Sequence, residues 1–314
     1  MKIVITGALG HIGSYVCRDF AAKFVDSEII LIDNISTQRY SSLFNLPKNV
    51  NYRFIEGDVL EIDLDKILQN SDIVIHLAAI CDAANSFDNA KAVEENNFNS
   101  TRKIANACLR QNVKLIVLSS TSVYGTQDKL VSEDCNKEDL KPQSPYASTK
   151  LLEEELIGNM CSNDGLNAVC FRFGTIMGIS QGMRFQTAVN KFCWQSVMGQ
   201  EITVWTTAYN QVRPYLDIRD ASNLFSFIIS KDVFDGRIYN ALTEHATVKN
   251  IIDIIKKYVL DVKISYVDSK IMNQYSYEVS TERIKKLGYN FTGSLEKSIL
   301  DTINLLKKSN IYCK

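Results

Sequence analysis

Histidine is scarce: three in 314 residues, at His11, His76 and His245, each isolated from any second ligand-type side chain along the chain. A metal-dependent mechanism therefore has nothing to stand on, and no metal is expected. An excess of charge is missing too. With 35 lysines and arginines against 36 aspartates and glutamates, no field draws the chain to a nucleic-acid backbone or an anionic membrane. No apolar run reaches the roughly 18 uninterrupted residues of a membrane span. The chain enters a strand-like KIVIT at once, with no charged and apolar leader, so the expected location is the cytoplasm. The eight cysteines, Cys17, Cys81, Cys108, Cys135, Cys161, Cys170, Cys193 and Cys313, form no CxxC pair and sit mostly in apolar stretches such as AVCF. They read as reduced, buried thiols rather than a disulfide framework. Repeats and low-complexity linkers are also absent, which leaves one large domain or two closely packed ones.

The first half alternates β-rich runs with helical patterns. KIVIT (2–6), EIILID (28–33), NYRFIEGDV (51–59), DIVIHLAA (72–79) and KLIVLSS (114–120) read as strands, with helices near 14–24, 63–69 and 90–111. Strands apolar on both faces and separated by helices mark a doubly wound parallel sheet. Ser144-Pro145, a cap residue before a proline at the first helical position, starts a helix through YASTKLLEEELI, and NAVCFRF (167–173) extends the sheet. The rest is less regular. Helical patterns at 183–199, 247–260 and 294–307 alternate with the strand-like EITVW, IYNA and KISYV, and RPYLDIRDASNLFSFII reads as a turn or strand running into a helix. The expected division is a nucleotide-binding domain over 1–173, to which segments within 213–245 return, and a smaller α/β substrate lobe over 174–314.

GALGHIG places Gly7, Gly10 and Gly13 at intervals of three between the first strand and the first helix. Alone, such glycines mark only a turn. Here ILIDN puts Asp33 at the end of the second strand, 20 residues beyond Gly13. Glycines let backbone approach a pyrophosphate at a helix N-terminus, and a carboxylate at the second strand's end accepts both ribose hydroxyls while repelling a 2′-phosphate. NAD is thus favoured over NADP. Asp58 in EGDVL ends the third strand, where it can meet the adenine amino group; a strand-end cap is its alternative reading.

YASTK sets Tyr146 and Lys150 four residues apart on one helical face. A phenol with a pKa near 10 is a poor base at neutral pH, but a neighbouring ammonium favours its phenolate. Such a tyrosine can remove a hydroxyl proton while hydride leaves the same carbon. VLSSTSVYG ends the fourth buried strand, where doubly wound folds place their ligand crevice. From this spacing alone Ser119, Ser120, Thr121 and Ser122 are equal candidates to orient that hydroxyl.

GALGHIG, IDN, EGDV, HLAA, ENNFNST, LSSTSVYG, SPYASTK and RPYLDIRD occur in the order found in the extended short-chain dehydrogenase/reductases, and the chain resembles their nucleotide-sugar epimerase/dehydratase branch almost end to end. The resemblance implies a Rossmann-type NAD domain, a small C-terminal domain for a nucleoside diphosphate sugar, and a homodimer. It implies Ser120, Tyr146 and Lys150 as the catalytic set and Asn97 as the supporting asparagine. The implied cofactor contacts are Gly7, Gly10, His11 (through its backbone), Ile12, Gly13, Asp33, Asn34, Asp58, Val59, Leu77, Ala78, Ala79, Ser119 and Phe173, besides Asn97, Tyr146 and Lys150. Arg213 matches the arginine used on the substrate diphosphate, which a guanidinium fork suits. Thr175, Arg184 and Asn190 join it as substrate contacts, whereas Arg219 reads as structural.

Dehydratases of this branch resemble one another in an Asp-Glu pair just after the catalytic hydroxyl residue. Thr121-Ser122 stands there instead, so the expected reaction is 4-epimerisation through a transient 4-keto sugar. The alternatives are a 4-dehydrogenase, a 4-ketoreductase, a 4,6-dehydratase, or an NAD-binding regulator without activity. Two departures bear on the choice: HLAAICDAANS carries Cys81 where the galactose epimerases have a lysine, and FRFGT replaces their RYFN.

Overall fold

Apolar side chains that alternate between two faces build the sheet first. The computed structural model describes residues 1–81, 90–268 and 276–309, so Cys313 lies outside the described residues. In chain order the first half gives β1 (Lys2–Thr6), α1 (His11–Lys23), β2 (Glu28–Asp33), β3 (Asn51–Glu56), α2 (Leu64–Leu68), β4 (Ile73–His76), α3 (Ala90–Gln111), β5 (Lys114–Ser120), α4 (Pro145–Asp164) and β6 (Ala168–Phe173). The second half gives β7 (Thr175–Met177), α5 (Ala188–Val197), β8 (Ile202–Trp205), β9 (Val212–Asp217), α6 (Ile218–Lys231), β10 (Ile238–Ala241), β11 (Glu244–Thr247), α7 (Val248–Tyr258), β12 (Ile264–Val267), α8 (Glu282–Lys286) and α9 (Leu295–Ser309).

Seven parallel strands in the order β10-β6-β5-β4-β1-β2-β3 form a Rossmann-type doubly wound sheet. Its winding reverses between β1 and β4, the place where such sheets open a ligand crevice at the strands' carboxyl ends. Ile3, Ile5, Ile29, Leu31 and Ile75 pack with Val16, Phe20, Leu224 and Phe225 of α1 and α6. Val4, Ile30, Val74, Leu115 and Val117 face Ile104, Cys108 and Ile157 of α3 and α4. Each fully buried aliphatic side chain contributes about 1.5–3 kcal/mol, so both helical layers are held by the pleat's alternation.

The other strands form two small sheets. β9 lies between β7, parallel to it, and β11, antiparallel; β8 and β12 form a parallel pair. Val189, Phe192, Ile202, Val204, Tyr215, Ile251, Ile255, Ile299 and Ile303 make this lobe's own core. Within 213–245, β10 joins the main sheet and β9 does not.

The helix expected over 183–199 begins only at Ala188, and three other boundaries differ from the sequence pattern for local reasons. β3 stops at Glu56 because Gly57 N–H reaches back to the Asp33 carbonyl and Asp58 turns to accept the Leu60 N–H. β4 stops at His76 because the Leu77 and Ala78 N–H groups both reach the Thr6 hydroxyl, at 3.2 Å each. α1 begins at His11, inside the glycine motif. β7, β11 and α8, of three to five residues each, are too short to show a period. Among the described residues no helix is long and apolar enough to cross a membrane, no His/Cys/Asp/Glu cluster could hold a metal ion, and the seven cysteines are free thiols.

Candidate active site

The glycine turn closes tightly on its neighbours. Gly7 has φ +63°, and a Cβ there would lie 2.7 Å from the Ala78 nitrogen and from the Leu77 carbonyl. A Cβ on Gly13 would lie 2.5 Å from the Gly7 oxygen. The turn is a cradle that side chains would fill. Gly10 caps α1 without a side chain, so the first-turn N–H groups keep no partner from the cap. The His11 side chain has a partner of its own. Its Nε2–H donates to the Gly178 carbonyl at 2.8 Å, while the Ser14 hydroxyl accepts the Gly182 N–H at 2.8 Å, so α1 ties the turn to the segment after β7. Burial lowers the His11 pKa to about 4 and the imidazole is neutral.

Asp33 accepts the Leu9 N–H at 3.0 Å on one oxygen and the Ile35 N–H at 2.9 Å on the other. Each oxygen keeps a second lone pair for a ribose hydroxyl. Asn34 is exposed and its amide donates to Asp58 at 3.0 Å, with Val59 buried behind it, so the ends of β2 and β3 are cross-linked. Ile12, Leu77, Ala78 and Ala79 are partly buried, the last three following β4 next to the cradle. Asn97 of α3 sits behind them: its amide oxygen accepts the Ile80 N–H at 2.8 Å and its amide nitrogen donates to the Ile80 carbonyl at 2.9 Å. That residue fixes a loop backbone.

At the end of β5, the structure separates the four hydroxyls. Ser119 is buried, its hydroxyl without a partner among the described residues. Thr121 turns inward to the Phe173 carbonyl, 3.2 Å away, and to the Tyr277 hydroxyl, 3.1 Å away. Ser120 accepts both the Ser122 N–H (3.2 Å) and the Ser122 O–H (2.8 Å). With both lone pairs engaged, Ser120 keeps its own proton to donate. Phe173, its register partner on β6, is buried beside it.

Ser144 accepts the Ala147 N–H and starts α4, which carries Tyr146 and Lys150 on one face. The Lys150 ammonium lies 5.7 Å from the centre of the Tyr146 ring. Burial raises the Tyr146 pKa and Lys150 opposes that rise. Burial works against the Lys150 charge, but the carboxylate of Glu153, 2.9 Å from Nζ, and the Tyr146 phenol together raise the lysine's pKa on balance. Sequence reasoning missed Glu153. The i,i+3 and i,i+4 spacings from Lys150 offer Glu153 and Glu154 equally. Glu154 instead takes Arg172 of β6, at 2.9 and 2.6 Å.

Across the crevice, β6 runs through Gly174 into β7, and Thr175 pairs with Tyr215 of β9, two residues after Arg213. A Cβ on Gly174 would lie 2.9 Å from the Pro214 oxygen, so the two backbones touch there. Thr175 and Arg213 are half-buried on adjacent strands, and Arg213 donates to Gln211 at 3.3 Å. Arg184 donates to the Cys81 sulfur at 2.8 Å. Asn190 is fully buried and its amide donates to the Arg184 carbonyl at 3.0 Å, which places it behind Arg184. Arg219 pairs with Asp217 and Asp301, a structural cross-link.

An uncapped glycine cradle, an acidic end to β2 and a tyrosine–lysine pair at the carboxyl edge are the marks of the extended short-chain dehydrogenase/reductase class. The profile of the NAD dependent epimerase/dehydratase family matches residues 3–241, and the chain belongs to that family. Its cofactor is NAD, and the closed cradle and the free lone pairs of Asp33 fit a dinucleotide. A trifunctional UDP-glucose 4,6-dehydratase/UDP-4-keto-6-deoxy-D-glucose 3,5-epimerase/UDP-4-keto-L-rhamnose-reductase of Arabidopsis thaliana is 28% identical over 317 residues, covering 96% of this chain and 46% of that protein. The chain thus spans less than half the length of that relative. A dTDP-D-glucose 4,6-dehydratase of Dictyostelium discoideum is 26% identical over 99% of this chain and 82% of its own. The crystal structure of a UDP-glucuronic acid 4-epimerase from Bacillus cereus, in complex with UDP-glucuronic acid and NAD, matches with a TM-score of 0.89 at 27% identity, over 98% of this chain and all of that one.

Proposed function

We propose that the protein is an NAD-dependent 4-epimerase of a nucleoside diphosphate sugar. The observation that carries this reading is the state of positions 121 and 122. Thr121 spends its hydroxyl on the interior and Ser122 spends its own on Ser120, so neither offers the acid or base that expelling water from the sugar requires.

In this reading Tyr146 accepts the proton of the C4 hydroxyl and later returns it, while Ser120 donates its remaining hydrogen bond to the same oxygen. Lys150 favours the phenolate. The Gly7–Gly13 turn and Asp33 would hold NAD, which would supply a reversible hydride acceptor for C4. The 4-keto sugar turns over in the pocket between the two transfers, which inverts C4 and leaves no net redox change. Arg213 engages the diphosphate, with Thr175 and Arg184 nearer the sugar and Asn190 holding Arg184. The protein works as a homodimer.

Purified protein incubated with NAD and, in turn, UDP-, GDP-, dTDP- and CDP-hexoses should convert one of them to its C4 epimer, read by proton NMR. A 4-keto product that has lost water would make it a dehydratase instead. Stoichiometric NADH with a 4-keto sugar would make it a dehydrogenase.

A further inference from the structure

Glu153 lies one helical turn after Lys150, and both are almost wholly removed from solvent, with side chains 1% and 6% exposed. Its Oε2 receives two donors, the Lys150 ammonium at 2.9 Å and the Thr101 hydroxyl of α3 at 3.0 Å. Its Oε1 is buried with no hydrogen-bond partner among the described residues. A carboxylate left half-satisfied in the interior is costly to keep. Its position is fixed from two helices. It therefore stands as a fixed negative charge against the ammonium that shares a helix with Tyr146.

We infer that Glu153 is a positioning residue of the Tyr146–Lys150 pair: it pins the ammonium and sets how much of that positive charge reaches the phenol. This rests on the reading above, in which Tyr146 is the base. The other groups facing the pair are few. Cys81, past β4, and Arg184, before α5, face Tyr146. Cys170 of β6 and His76 of β4 face Lys150. His76 is neutral, since burial lowers its pKa to about 3, and burial keeps the Cys170 thiol protonated. Glu153 is thus the one anionic group in contact with the lysine among the described residues. It fixes where the ammonium sits beside the ring, and its own negative charge moves phenolate formation to higher pH.

The test is the titration of Tyr146 itself, followed by NMR on protein with carbon-13 at the tyrosine Cζ, the signal being assigned by its loss in Tyr146→Phe. In Glu153→Gln the Tyr146 titration should move to lower pH by about one unit, the size expected for removing a nearby like charge from an acid. The acid limb of kcat/KM should follow by the same amount. A titration that stays in place or moves upward overturns the inference. Glu153→Met, which removes the charge together with the unpartnered Oε1, carries the same expectation if the glutamine variant does not fold. A shifted titration without turnover of any nucleotide sugar would uphold this inference and sink the epimerase reading. An unshifted titration with intact turnover would do the reverse.

Discussion

Tyr146 and Lys150 are held by one helix in a fixed relation, the ammonium 5.7 Å from the ring centre, and the lysine is anchored behind the tyrosine by Glu153. The phenol's pKa is raised by burial and pulled down by the lysine, so its basic form gains population as pH rises. Under the proposed function, kcat/KM therefore climbs with pH on its acid side. Tyr146→Phe removes the base and little else. Turnover should fall about a hundred- to ten-thousand-fold while NAD binding, measured by calorimetry, is retained. A variant that keeps full turnover would remove Tyr146 from the mechanism.

Gly7 tests the cradle. Its φ of +63° alone costs a side-chain-bearing residue about 1–2 kcal/mol. The added methyl would also press on the backbone of Leu77 and Ala78, which cannot swing away. Gly7→Ala should therefore lower the melting temperature and weaken NAD binding together. Full NAD affinity in a folded Gly7→Ala protein would place the dinucleotide elsewhere.

Most of the scaffold was legible because parallel strands announce themselves as unbroken apolar runs, as in EIILID and KLIVLSS, and because Ser144-Pro145 and the glycines are local signals. What stayed hidden is set by partners distant in sequence. His11 reaches Gly178 and Ser14 reaches Gly182 across more than 160 residues, so nothing near the motif reveals that the turn is tied to the lobe. The choice between Glu153 and Glu154 as Lys150's partner depends on where Arg172 emerges from β6. Of the four hydroxyls from Ser119 to Ser122, Thr121 is set apart by the Phe173 carbonyl of β6 and the Tyr277 hydroxyl, and Ser120 and Ser122 by bonding each other. Spacing could nominate all four; only packing tells them apart.

Burial lowers the pKa values of His11 and His76 to about 4 and about 3, from 6.5. Between those values and 6.5 the unfolded chain binds protons that the folded one refuses, so stability is full above pH 6.5 and is lost as pH falls. Each histidine contributes a slope approaching about 1.4 kcal/mol per pH unit inside its window. Urea midpoints measured from pH 7 to pH 5 should fall, and His11→Asn should flatten the fall. An equally steep decline in that variant would assign the acid sensitivity to other groups.

Arg172 and Glu154 form a bidentate pair that ties β6 to α4, and the guanidinium also lies 4.8 Å from the centre of the Tyr124 ring. Both side chains are buried, and the carboxylate holds the arginine's pKa up against the burial that would lower it. Removing one partner strands the other charge, which costs about 3–5 kcal/mol, whereas replacing both with apolar groups of like volume is often close to neutral. Arg172→Met and Glu154→Leu should each lower the urea midpoint substantially, and the double variant should regain most of what either loses. The coupling follows from subtracting the two single effects from the double one. Additive losses would mean that packing of the side-chain stems, not the charge pair, holds α4 and therefore Tyr146 against the sheet.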